Sequence, residues 1–150
     1  MITLRTATRD DIPVLASVLA NVQAQADPSI DVEEQRRGMT EAINGYFGLD
    51  EPESILSIVE YDGVPVGRLR VVRFDDRIFL GGLQIHPDFQ RRGIGTELVT
   101  ALQDESRSAG KPLVLTVERD NTRARTLYER LGFELNSESD QEVQLAYTPN

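Results

Sequence analysis

The stretch from Ile78 to Val117 constrains the fold more than any other part of the chain, because it demands two strands that run in the same direction. Ile78 to His86 reads as a strand: Ile78, Phe79, Leu80, Leu83 and Ile85 are apolar or β-prone, and Pro87 withdraws a ladder donor where the run ends. Gln90-Arg91-Arg92-Gly93-Ile94-Gly95 then turns the chain. Ile94, Leu98, Val99, Ala101 and Leu102 recur at helical spacing in the segment that runs through Thr96 to Ala109. Ala109-Gly110-Lys111-Pro112 stops that helix, and Leu113, Leu115 and Val117 alternate as the next strand. A strand, a helix and a strand of this length imply a parallel pair.

The turn between the first strand and the helix reads as a phosphate cradle. The first N–H groups of a helix have no intrahelical partners, and the macrodipole places partial positive charge there. Gly93 and Gly95 let the backbone approach an anion closely, and Arg91 and Arg92 add fixed charge in a chain that is otherwise acidic. The pattern is not a dinucleotide fingerprint. Leu98 stands where the third glycine of GxGxxG belongs, and no alternating parallel series surrounds it.

Upstream, Ile2 and Leu4 alternate as strand 1, and Thr8-Arg9-Asp10-Asp11 resembles a capping box before Ile12, Leu15, Ala16, Val18, Leu19 and Val22. After a loop at Ala26-Asp27-Pro28-Ser29, Asp31 with Glu34 caps a more polar helix that reaches about Phe47. That helix reads either as a mobile cover over a substrate or as a solvated helix. Asp50-Glu51-Pro52-Glu53 breaks the chain. Ile55 to Tyr61 and Val64 to Phe74 are strands 2 and 3, joined by the hairpin signal Asp62-Gly63, and Ile78 to His86 is strand 4. Strands 2, 3 and 4 therefore form an antiparallel meander. At the other end, Asn121 caps a short helix closed by Gly132, and Phe133 to Asn136 pairs with Glu142 to Tyr147 across the turn Ser137 to Gln141. The expected fold is an α/β chain with a mixed sheet and about four helices, in a single domain of 150 residues.

Composition removes several chemistries. The chain has no cysteine, so a thiolate nucleophile, a thiolate metal ligand and a disulfide have no residues to build them, and a single histidine, His86, disfavours a histidine triad or a zinc site. A net charge of −9 disfavours nucleic acid and favours cationic partners. No apolar run approaches the ~20 residues of a membrane span, and the N-terminus lacks a signal-peptide core, so a soluble cytoplasmic protein is expected.

Downstream of the cradle lies a second motif, Asn121-x-x-Ala124-x-x-Leu127-Tyr128-x-x-x-Gly132-Phe133. Together the two resemble the GNAT superfamily, the Gcn5-related N-acetyltransferases that use acetyl-CoA. The resemblance implies that parallel strands 4 and 5 splay to leave a cleft for pantetheine. Backbone groups of Leu83, Gln84 and Ile85 would serve the pantetheine arm and the acetyl carbonyl by β-augmentation, with a bulge at Gly81-Gly82 freeing them. The resemblance places the pyrophosphate on the amides of Arg91, Arg92, Gly93, Ile94, Gly95 and Thr96, beside Gln90, and lets Asn121 bond the cofactor arm. Tyr128 matches the tyrosine that protonates the departing thiolate.

The general base has no counterpart in the motifs. Phe79 and Thr116 stand where some relatives carry glutamate, which leaves a water relay or a carboxylate elsewhere; Glu60, Asp75, Asp76, Glu118 and His86 are the candidates. The implied activity is acetyl transfer to a primary amine of a small molecule or peptide, with acetyl-CoA as cosubstrate and no metal. A CoA-binding regulatory or interaction module is the alternative. A homodimer is compatible with either.

Overall fold

The computed structural model describes residues 1–49, 51 and 53–149, so Asp50 and Pro52 of the expected chain break lie outside the described residues. In chain order the elements are β1 (Ile2–Thr6), α1 (Ile12–Ala26), α2 (Val32–Tyr46), β2 (Ser54–Tyr61), β3 (Val64–Arg73), β4 (Ile78–Ile85), α3 (Ile94–Ala109), β5 (Leu113–Glu118), α4 (Thr122–Arg130), β6 (Glu134–Glu138) and β7 (Glu142–Tyr147). The strands form a mixed seven-stranded sheet in the order β1-β2-β3-β4-β5-β7-β6. The described residues group into two compact units: Met1–Arg70 with Gly82–Ile94, and Val71–Gly81 with Gly95–Asn150.

In the first unit, β1 pairs antiparallel with β2 from Ile2↔Tyr61 to Thr6↔Ser57. The capping box forms at the entry to α1: the Thr8 N–H donates to Asp11 Oδ2 at 2.8 Å, while Arg5 donates from both terminal nitrogens to the same carboxylate at 2.8 and 2.9 Å. Leu15 and Ala16 of α1 pack on Ile43 of α2 and on Leu56 and Ile58 of β2, with Leu19, Met39, Tyr46 and Phe47 closing the edges. Asp31 caps α2 by accepting from the Glu34 N–H at 3.1 Å. Ile43 is the one buried residue of that helix among those described, which explains its polar sequence. Asp62 and Gly63 have φ of 50° and 82°, the double positive φ that a type I′ hairpin needs.

Strand 4 ends one residue earlier than its apolar run suggested. His86 lies past the end of the strand, though its N–H still donates to the Val66 carbonyl of β3 at 2.8 Å, and it caps a single 3₁₀ turn, Pro87–Phe89, its Nδ1 accepting the Asp88 N–H at 3.1 Å. The fixed φ of Pro87 starts that turn as well as ending the strand.

In the second unit, β4 and β5 are parallel over Ile78↔Leu113, Phe79↔Val114 and Leu80↔Leu115, and β5 pairs antiparallel with β7 as far as Glu118↔Glu142. Leu113, Val114 and Leu115 are buried on successive positions, as a strand covered on both faces must be. Leu98, Val99 and Leu102 bring α3 into this core. Gly110, at φ +67°, ends α3. At the far end β6 runs two residues past the expected Asn136, with an irregularity between Leu135 and Ser137, and the turn shrinks to residues 139–141. Exposed polar side chains, such as Asn136 bonded to Gln144, carry this strand, so no hydrophobic alternation marked its extent.

Candidate active site

Gln90 begins the segment between β4 and α3, and its side chain is already committed. Its Nε2 donates to the Ile85 carbonyl at 2.9 Å, and its amide exchanges two hydrogen bonds with Gln25 of α1, at 2.9 and 3.0 Å. Gln90 thus ties the loop to the end of β4 and to α1, and one lone pair of the Ile85 carbonyl is spent on it. The following backbone alternates in hand: Arg91 has φ +64° and Gly93 φ +78°. Alternation of this kind turns successive N–H groups toward one side and makes an anion-binding nest. Among the described residues of their own unit the amides of Arg91, Arg92, Gly93 and Ile94 donate to no partner. Nothing lies within 4 Å of where a Gly93 side chain would begin, so the concavity is open. The Arg92 guanidinium lies 5.3 Å from the Phe89 ring centroid and 5.7 Å from that of Tyr61, while Arg91 is exposed. Gly95 and exposed Thr96 follow in the first turn of α3.

On β4, Leu83 and Gln84 are partly buried and Ile85 is buried. The sequence reading reserved Gln84 for its backbone, but its side chain has its own partner: Oε1 accepts from Arg68 Nη1 at 2.8 Å. Gly82 accommodates that arginine. A Cβ there would stand 2.1 Å from Arg68 Nη1 and 3.0 Å from its Cζ. Arg68 went unnoticed in the sequence because an arginine in an alternating strand looks like an outward-facing polar residue.

In the second unit, Asn121 caps α4 with Oδ1 accepting from the Ala124 N–H at 3.2 Å, and its Nδ2 has no partner in that unit. Tyr128 lies on the buried side of α4, 8% exposed, with its ring edge-on to Phe133 at 5.5 Å. Burial pushes the phenol up to about 12, so it is a neutral donor throughout the physiological range. Its hydroxyl makes no hydrogen bond within the unit.

The candidate bases separate by their partners. Glu60 is bonded to Arg5 at 3.2 Å, Asp76 to Arg77 at 2.8 Å, and His86 Nδ1 to the Asp88 amide. Asp75 and Glu118 are exposed and make no ion pair within their unit. Phe79 is partly buried and Thr116 is exposed. Among the described residues no three His, Asp or Glu side chains gather closely enough to hold a metal ion, and no helix is long and apolar enough to cross a membrane.

Comparison with known proteins gives three levels of likeness. The pattern that defines the Acetyltransferase (GNAT) family matches residues 19–133. The [ribosomal protein bS18]-alanine N-acetyltransferase of Salmonella typhimurium is 44% identical over 59 residues, 39% of this chain and 40% of that protein. The L-amino acid N-acyltransferase MnaT of Escherichia coli is 34% identical over 58 residues, 38% of this chain and 34% of that protein. The matched stretch thus spans well under half of either relative. In structure, the PaiA N-acetyltransferase of Thermoplasma acidophilum, solved in complex with coenzyme A, superposes with a TM-score of 0.74 at 17% identity, covering 99% of both chains; at that identity the likeness speaks for the fold.

Proposed function

Because the chain belongs to the GNAT acetyltransferase family, we propose that it transfers an acetyl group from acetyl-CoA to a primary amine of a small molecule or peptide. The observation that carries this reading is the nest at residues 91–94, whose unpaired amides and alternating backbone suit a pyrophosphate. Bound there, acetyl-CoA would supply an activated acyl group on a thiol leaving group.

The chain's own residues would then do the following. Amides of Arg91 to Thr96 hold the pyrophosphate, with the exposed Thr96 hydroxyl as a further donor. Backbone groups of Leu83 and Gln84 align the amide-bearing arm and donate to the oxyanion; at Ile85 one lone pair of the carbonyl is already taken by Gln90. Asn121 offers Nδ2 while Oδ1 keeps the helix capped, so the structural and ligand roles coexist.

Tyr128 donates to the departing thiolate. A full proton transfer from a phenol at about 12 to a thiolate at ~8.5 runs uphill by roughly 5 kcal/mol. Tyr128 therefore acts chiefly as a hydrogen-bond donor to the developing negative charge, and the thiol takes its final proton from solvent. The acceptor amine gives up its proton to a water relay or to a carboxylate other than Glu60 and Asp76, which are already paired with arginines.

Acetyl-CoA at ~100 times its dissociation constant should stabilise the fold by about 2.7 kcal/mol, a rise of roughly 5 to 10 °C in melting temperature. No shift at millimolar acetyl-CoA overturns the proposal. One observation favours a second reading, a CoA-binding module without turnover: Phe79 and Thr116 stand where a base is expected. Binding without thiol release on any amine would establish that reading instead.

A further inference from the structure

Two arginines on the same face of β3 have contrasting surroundings. Arg70 is fully engaged: it donates to Ser54 Oγ at 3.1 Å, pairs with Glu51 at 3.7 Å and lies 6.0 Å from the Tyr46 ring centroid. Arg68 is partly buried and, among the described residues of its unit, has a single hydrogen bond, from Nη1 to Gln84 Oε1. No carboxylate among the described residues pairs with it. Burial and the nearby Arg70 hold its pKa below the usual guanidinium value, the direction opposite to that of an arginine with an acid partner.

A partly desolvated guanidinium without a counter-ion is costly, and the fold goes to some length to keep it. The fork lies in the space that Gly82 leaves by having no Cβ, and the side chain of Gln84 orients it. Its remaining N–H groups form the planar fork that matches a carboxylate. Those donors sit beside Gln84 of β4, which with Leu83 serves the acyl carbonyl and the pantetheine arm in the proposed function. Both of those groups are uncharged, so the anion that completes the site must arrive on the acceptor.

Resting on the acetyltransferase reading, we infer that Arg68, held by Gly82 and Gln84, binds a carboxylate of the acceptor, so that the substrate is an amino acid or another amine bearing a carboxyl group. The fork docks the acid and leaves the amine to face the acyl carbonyl.

The test compares the free amino acids with their carboxamides as acceptors, following thiol release from acetyl-CoA, in wild type and in Arg68→Gln, Arg68→Lys and Gly82→Ala. Stabilisation by acetyl-CoA is recorded first for each protein, so that loss of cofactor binding, which would sink the acetyltransferase reading, is distinguished from loss of acid recognition. The expected result is at least a tenfold preference in kcat/KM for the best acid over its amide in wild type. Arg68→Gln should abolish the preference, with the amide rate and the KM for acetyl-CoA changed less than twofold. Arg68→Lys should retain part of it. Gly82→Ala should mimic Arg68→Gln with the arginine still present, which keeps the test open if Arg68→Gln does not fold. Equal use of acids and amides, or no turnover of any carboxyl-bearing amine by a protein that binds acetyl-CoA, overturns the inference. So does an equal fall in kcat for both members of a pair in the variants, the signature of an oxyanion role.

Discussion

Tyr128→Phe removes one oxygen from a ring that the core holds in place. The ring is 8% exposed and packs edge-on against Phe133, and the hydroxyl has no hydrogen bond in its unit, so the deletion should change stability at neutral pH by less than ~1 kcal/mol. Above pH 10 the two proteins should diverge. Burial raises this phenol from 10.0 to about 12. A raised folded-state pKa means that the folded chain keeps a proton the unfolded chain has released. The phenol's contribution is therefore intact below pH 10 and is lost as pH rises toward 12. For one group with these two values the loss reaches about 1.4 kcal/mol at pH 11. Urea denaturation at pH 8.5 and pH 11 should show that loss in wild type beyond whatever Tyr128→Phe shows, because the other titrating groups cancel between the two proteins. Thiol release with the best amine of a panel should meanwhile fall ~10²- to 10³-fold in kcat. A kcat within threefold of wild type would refute the hydrogen bond to the developing thiolate, and an identical alkaline loss in both proteins would refute the burial argument.

Asp11→Asn should cost about 1 to 3 kcal/mol, because it leaves the bidentate Arg5 fork and the Thr8 amide with a weaker acceptor. Hydrogen bonds from Arg5 hold the Asp11 pKa below its ordinary value, so its contribution is present above the unfolded carboxylate pKa and is lost as pH falls through the folded one; acid titration of unfolding should be flatter in the variant. Gly93→Ala places a side chain at φ +78° with nothing to clash against, so about 1 to 2 kcal/mol of backbone strain is expected by thermal melting. The same variant should need a higher acetyl-CoA concentration for half-maximal stabilisation, and an unchanged requirement would argue against the nest as the pyrophosphate site.

Much of the fold was legible because its signals are local. Asp31 with Glu34, Asn121 with Ala124, and Asp62-Gly63 each act within three residues, and each formed as the sequence implied. The parallel pair of β4 and β5 followed from the length of the helix between them. The ends of elements were harder. Pro87 marks the close of β4, but where the strand itself stops depends on the turn that follows, which the His86 side chain caps while its N–H still bonds Val66. β6 is wholly exposed, so nothing in its polarity pattern announced that pairing continues to Glu138. In the candidate site, the turn at residues 90–96 and the position of Tyr128 were visible as motifs. Arg68 was not, because its meaning depends on a glycine and a glutamine on the neighbouring strand.

The three hydrogen bonds of the Gln90 amide bear on how a ligand would arrive as well as on how the loop is built. A loop already fastened to a helix and a strand end has surrendered its freedom during folding, so an incoming pyrophosphate need not wait for it to assemble. Association should then be governed by encounter and charge, with the local pull of Arg91 and Arg92 set against the net charge of −9. Cutting the fastening, as Gln90→Ala would, should lower the association rate and make the entropy of binding less favourable, even though no atom that meets the phosphate has been altered.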